Sequence, residues 1–182
     1  MGSPLSEGGL HDGQDAPAEH LDLVEPLNAV MMIHYRQAQY AKAEEVSRRI
    51  LSISEKTLGP DHPYVATVLN NLATFLQNQG SYAEARPLLE RSLAIFEKAL
   101  GPEHPDVAVS LNYFAGLLNG QGTYAEARSL NEQGLSIKLK HLLLTMGSMT
   151  EAERFQYLAV QTGPEPFLLN LVALQGSGPP KE

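Results

Sequence analysis

The chain has 182 residues, 43% of them hydrophobic, a formal net charge of −8 and no cysteine. That apolar content is enough for a core, while the acidic balance argues against nucleic acid, whose binders usually show a basic face. The missing cysteine removes disulfides, thiolate metal sites and a cysteine nucleophile together and fits a reducing compartment.

No stretch reaches the roughly 18 unbroken apolar residues of a membrane span, and the N-terminus lacks the basic start and apolar run of a signal peptide. A cytoplasmic protein with no membrane partner is expected. Residues 1–16 are rich in Gly, Ser, Asp and Pro without periodicity and read as a disordered leader. Gly2 and Ser6 meet a short myristoylation pattern, which reads more simply as part of that polar leader.

From Pro17 the chain repeats. Gly59–Leu100 and Gly101–Leu142 align without a gap at an offset of 101 − 59 = 42 and share 23 of 42 residues, and Pro17–Leu58 aligns in the same register with 13 identities to the central copy. A fixed period of this length marks an array of stacked units, one continuous repeat domain expected over 17–146.

The first copy (17–58) is worn. Pro26 falls where a helix should already run, so its helix is expected to start late, near Pro26. Ala38 replaces the dividing glycine, and Gln39-x-x-Lys42 is no capping box. In the central copy (59–100), Pro63 suits a first helical turn, and Val65, Val68, Leu69, Leu72, Phe75 and Leu76 recur at helical spacing. Gly80 stops that helix. Ser81-x-x-Glu84 has the form of a capping box, opening a second helix with Ala85, Leu88, Leu89, Leu93 and Ile95 on its apolar side. Pro87 inside it should cost a hydrogen bond. The third copy (101–142) repeats these signals with Pro105, Gly122 and Thr123-x-x-Glu126. Ala43, Ala85 and Ala127 let paired helices approach closely.

The last repeat helix overruns through Leu139, Leu142, Leu143 and Met146 until Gly147. Ser148-x-x-Glu151 has the form of a further capping box, and residues 147–175 read as a helical cap or linker over the end of the stack. Residues 176–182 read as a tail.

Leu69, Leu72-Ala73, Leu76, Gly80, Tyr82, Ala85, Leu89 and Leu93 stand at the marker positions of a tetratricopeptide helix-turn-helix. The 42-residue spacing, the LGPDHP and LGPEHP connectors and LNNLA resemble the subclass found in kinesin light chains. The resemblance covers Pro17–Leu142. It implies an all-α solenoid, a right-handed superhelix of three units, that binds a protein or peptide in a groove and catalyses nothing. The segment from Leu144 to Leu174 is similar to helices joining such arrays to the caspase-like CHAT domain of bacterial proteins. That similarity implies an alternative, a regulatory repeat subunit of a peptidase system. A structural homo-oligomer is a further alternative.

Helical spacing puts 67, 70, 74, 77 and 78 on one face, opposite the leucines. The resemblance makes that face ligand-facing. It implies Thr67, Asn70, Thr74, Gln77 and Asn78 in the central copy, and Val109, Asn112, Gly116, Asn119 and Gly120 in the third. In the first copy it implies Glu25, Asn28, Met32, Tyr35 and Arg36. Asn28, Asn70 and Asn112 recur in register, and a side-chain amide both donates and accepts. They read as a ladder for an extended peptide or, equally simply, as bridges between helices. Tyr35 and Arg36 are of the types that dominate interfaces. Gly116 and Gly120 predict an open floor.

His20, His62 and His104 recur once per copy. Neighbouring repeats hold them too far apart for zinc, whose ligands all lie about 2 Å away, so they read as helix-start residues. The recurring glutamates lack a nucleophile–base constellation, and the glycines form no phosphate-binding motif. No metal, cofactor or catalytic residue is expected.

Overall fold

The computed structural model describes residues 21–147 and 149–154. All regular structure among them is helical, in six main helices: α1 Val24–Arg36, α2 Tyr40–Leu58, α3 Pro63–Asn78, α4 Tyr82–Leu100, α5 Pro105–Gly120 and α6 Tyr124–Gly147. They form three sequential helix pairs, and α6 overruns as the sequence predicts. The described chain falls into two compact units that divide between Ile137 and Lys138. The expected leader, the tail and the helix around 167–174 lie outside the described residues, as does His20.

Local chemistry explains the boundaries. Pro63 and Pro105 sit in the first turns of α3 and α5, each preceded by a histidine in extended conformation. His62 Nδ1 accepts from the Tyr64 N–H at 3.1 Å and His104 Nδ1 from the Asp106 N–H at 3.2 Å. His62 and His104 are therefore helix caps, each supplying an acceptor to an orphan first-turn donor. Pro26 falls in the first turn of α1, where its missing N–H is harmless. α4 continues through Pro87.

The capping boxes predicted at Ser81 and Thr123 do not form. The Ser81 N–H already bonds the Leu76 carbonyl at 2.8 Å, and the Thr123 N–H bonds Leu118 at 2.9 Å. These are six-to-one bonds closing the preceding helix, with Gly80 and Gly122 at φ +79° and +80°. The N–H that a glutamate would capture is thus spent, and the Thr123 hydroxyl turns back to the Leu118 carbonyl as well. Ala38 makes the same turn at φ 54° without being glycine, a strained position for a residue with a Cβ.

Among the described residues, four buried layers hold the helices, one of them Ala115, Leu118 and Ala127 between α5 and α6. Met31, Ala43, Ile50, Ile53, Val68 and Phe75 join α1, α2 and α3. Val65, Leu69, Ile95, Phe96, Val107 and Leu111 join α3, α4 and α5, and Leu72, Leu76, Ala85, Leu89 and Leu117 fill the space beside them. Ala43 and Ala85 are fully buried and Ala127 nearly so, which is what close helix approach requires. In the second unit a capping box does form, two residues later than expected. Thr150 N–H and hydroxyl both donate to the Glu153 carboxylate at 2.7 Å, and the Glu153 N–H returns to Thr150 Oγ1 at 3.4 Å. Those bonds hold the Glu153 carboxyl below its usual range. Ser148 itself lies outside the described residues.

Candidate functional site

The residues singled out by the repeat register lie on α1, α3 and α5, the first helix of each pair, and these three touch in series. Asn28 Nδ2 donates to the Tyr64 hydroxyl at 2.7 Å, tying α1 to α3. Asn70 Nδ2 donates to Ser110 Oγ at 3.1 Å, tying α3 to α5.

The three asparagines therefore meet three environments. Asn28 is half-buried and bridging. Asn70 is only 2% exposed, at the head of a buried chain in which Ser110 and Ser92 hydroxyls lie 2.9 Å apart and Ser92 donates to the Ala66 carbonyl at 2.9 Å. Asn112 is exposed, with its Oδ1 over Gly134 of α6. The ladder is corrected accordingly: Asn70 is placed inside, because Ser110 gives its amide a partner and Ser92 backs Ser110, where the other copies carry Val68, Ile50 and Gly134.

The rest of the row is mixed. Thr67 is exposed, its hydroxyl leaning on the Pro63 carbonyl at 3.4 Å. Thr74 is half-buried and donates to the Asn70 carbonyl at 3.0 Å, and exposed Asn78 donates to the Thr74 carbonyl at 2.8 Å. These bonds turn the donors back into α3 and leave acceptor oxygens outward. Gln77 is half-buried. Its Nε2 is enclosed without a hydrogen-bond partner among the described residues, and its Oε1 lies 3.8 Å from where a Cβ of Gly116 would stand. A Cβ at Gly120 would come within 2.7 Å of the Tyr82 ring. Gly120 thus makes room for Tyr82 of the preceding copy, so the floor there is not bare as expected, while a Cβ at Gly116 would meet Gln77 only in ordinary contact. Val109 and Asn119 are exposed on α5.

On α1, Met32 is exposed, and Tyr35 is partly covered, its ring 5.6 Å from Phe75 and 6.0 Å from Tyr40. Arg36 is exposed in the last turn, as Glu25 is in the first. Two polar junctions flank the row. Gln79 Nε2 donates to Glu44 at 2.8 Å. Arg86 donates to Gln121 at 3.2 Å while standing 5.4 Å from the centre of the Phe114 ring. Burial acts to raise the Glu44 pKa, but hydrogen bonds from Gln79 and Arg48, with the Arg48 charge, outweigh it and hold the carboxyl below its ordinary value.

Sequence reasoning missed Tyr64, Ser92, Ser110 and the two junction glutamines. Ser92 and Ser110 carried a signal, since both are polar where the other copies are apolar or glycine. Among the described residues no cluster of three His, Asp or Glu could hold a metal, and no helix is long and apolar enough to cross a membrane.

A tetratricopeptide repeat family model matches residues 25–74 and 64–140. Among solved structures, a kinesin-light-chain-like protein of nearly identical TPR-like repeats from Podosopora anserina is 28% identical at a TM-score of 0.60, over 70% of this chain and 59% of its own. A point-substituted form of that protein matches at 27% identity and a TM-score of 0.60, over 71% and 59%. The chain thus spans about three-fifths of those two proteins. BtubC (BKLC) from P. vanneervenii shares the fold at a TM-score of 0.64 and 21% identity, over 94% of this chain and 70% of its own. No curated protein matches the sequence.

Proposed function

Because the chain belongs to the tetratricopeptide repeat family, we propose that it is a non-catalytic interaction module that holds an extended peptide or short helix of a partner protein along α1, α3 and α5. The observation that carries this reading is the row of exposed, mostly uncharged side chains at equivalent register on three touching helices: Met32 and Arg36, then Thr67 and Asn78, then Val109, Asn112 and Asn119. Outward amide and hydroxyl oxygens suit backbone N–H groups of an extended ligand. The enclosed Gln77 Nε2, without a partner among the described residues, would find an acceptor in a ligand carbonyl, and leaving such a donor unmet costs about 1–3 kcal/mol. Tyr35, braced by Phe75 and Tyr40, offers a fixed aromatic edge beside Arg36. Asn28 and Asn70 set the spacing of the helices and Thr74 the acceptor of Asn78. Helices already packed against one another need little ordering on this side, which favours affinity.

The test is affinity capture with the intact chain, comparing wild type with Arg36→Ala/Asn112→Ala/Asn119→Ala. The expected result is the loss of a captured protein at unchanged helical content and melting temperature. Retention of every wild-type partner by the triple variant refutes the assigned surface.

A further inference from the structure

The front of α1 and the back of α6 carry the two halves of a contact that the molecule already makes twice inside itself. In that contact the second helix of one copy grips the first helix of the next. At the first junction Glu44 of α2 meets Gln79, the residue just past α3. At the second, Arg86 of α4 meets Gln121, just past α5. Glu44 and Arg86 are 86 − 44 = 42 residues apart, and Gln79 and Gln121 are 121 − 79 = 42 apart, so these are one contact in two copies. Around the second, the Tyr82 ring fills the space left by Gly120, and Leu93 packs with Val107 and Leu111.

Among the described residues, the same register puts Gln37 just past α1 with no residue gripping it, and Arg128 on α6 with no following glutamine. Tyr124 and Leu135 take the places of Tyr82 and Leu93. They are 69% and 56% exposed, and the Arg128 side chain is 81% exposed. All three precede Ile137 and belong to the same compact unit as α1. On α1 and at its N-cap, Leu23, Val30 and Ile33 occupy the places of Val65, Leu72 and Phe75. Those are 0%, 0% and 3% exposed, Phe75 among residues of α2 and Val65 and Leu72 in layers that Leu51 of α2 borders, whereas Leu23, Val30 and Ile33 are 41%, 41% and 54% exposed. Arg128 pairs with Glu132, but Arg86 keeps the equivalent Glu90 within 3.9 Å while reaching Gln121, so that pair leaves the reach intact.

We propose that α1 and α6 are a docking pair for a second copy of this chain, head to tail. Arg128 of one copy donates to Gln37 of the next, and Leu135 closes over Leu23 and Val30. The argument for this occupant is continuity: both exposed faces repeat the register of the internal contact, with Arg36 standing where Gly120 does. Such a contact is heterologous, so a docked pair keeps one free front and one free back and can grow further.

Sedimentation velocity of the full chain over a range of concentrations tests this, using Ile33→Glu to spoil the front and Leu135→Glu to spoil the back. Both positions are exposed, so both variants should keep the wild-type melting temperature. The wild type should gain mass with concentration, passing beyond the dimer. Each variant alone should associate at least about tenfold more weakly, the effect of losing one buried anchor. An equimolar mixture should form dimers and stop there, because only one front and one back remain intact. Where an acidic residue lowers the melting temperature, Gln37→Ala and Arg128→Ala replace the pair and give the same reading. The proposal is overturned if the wild type stays monomeric, if Leu135→Glu alone still dimerises through a symmetric α1 contact, or if the mixture stays monomeric.

Discussion

Asn70 separates a structural amide from a ligand-facing one, and its removal can be worked through. Each hydroxyl in the buried chain has one proton. Ser92 gives its proton to the Ala66 carbonyl, which cannot donate. Ser110 then supplies the proton between the two hydroxyls, the alternative acceptor, Asn70 Oδ1, being longer at 3.3 Å. Asn70 Nδ2 completes the chain by donating to Ser110. Asn70→Ala leaves Ser110 short of a donor, costing about 1–1.5 kcal/mol, and opens a gap between α3 and α5 that adds about 1–1.5 kcal/mol. The total of about 2–3 kcal/mol corresponds to a fall of roughly 5–10 °C in melting temperature for a chain of this length. Asn112→Ala, at an exposed position, should cost under about 0.5 kcal/mol. Asn70→Leu with Ser110→Val, replacing both hydrogen-bond partners by apolar groups, should recover about 1 kcal/mol relative to Asn70→Leu alone. Urea and thermal unfolding read all four. Equal melting of the Asn70→Ala and Asn112→Ala variants would refute the buried chain as a source of stability.

Ala38→Gly should stabilise the protein by about 1 kcal/mol, because glycine takes the left-handed turn at φ 54° without the Cβ clash; an unchanged urea midpoint would show that the strain is not there. The Glu44 carboxyl has a folded pKa below its unfolded value, so its contribution is present above the unfolded pKa and lost as pH falls through the folded one. The stability gap between wild type and Glu44→Gln should therefore close on acidification below about pH 4.5, and a gap constant down to about pH 3 would contradict the bonds from Gln79 and Arg48.

The sequence made the helix pairs legible because their signals act within a few residues. Pro63 and Pro105 suit first turns, Gly80 and Gly122 permit a left-handed stop, and Ala43, Ala85 and Ala127 mark close approach. The failures at Ser81 and Thr123 come from competition for a single N–H: a helix end and a helix start share one residue, and the end wins because its bond closes over the glycine turn. The asparagines show a different limit. A repeat register says which positions are equivalent, but burial depends on the facing residue, and Asn70 alone meets Ser110. Gly120 misleads in the same way, since the side chain filling its space, Tyr82, comes from the preceding copy. The face of α3 is legible from spacing, while its donors turn inward.

The junction glutamines bear on how an array of this kind can be rebuilt. Gln79 answers a carboxylate and Gln121 a guanidinium from the same structural place. A primary amide carries an acceptor and donors on one short stem, so rotating it serves either charge. A glutamine at this place makes the joint indifferent to the sign of its neighbour. A duplicated or transplanted repeat with either Glu or Arg at the matching position can then join the stack without a compensating change, and charge can drift along the outer helices while the seams stay closed.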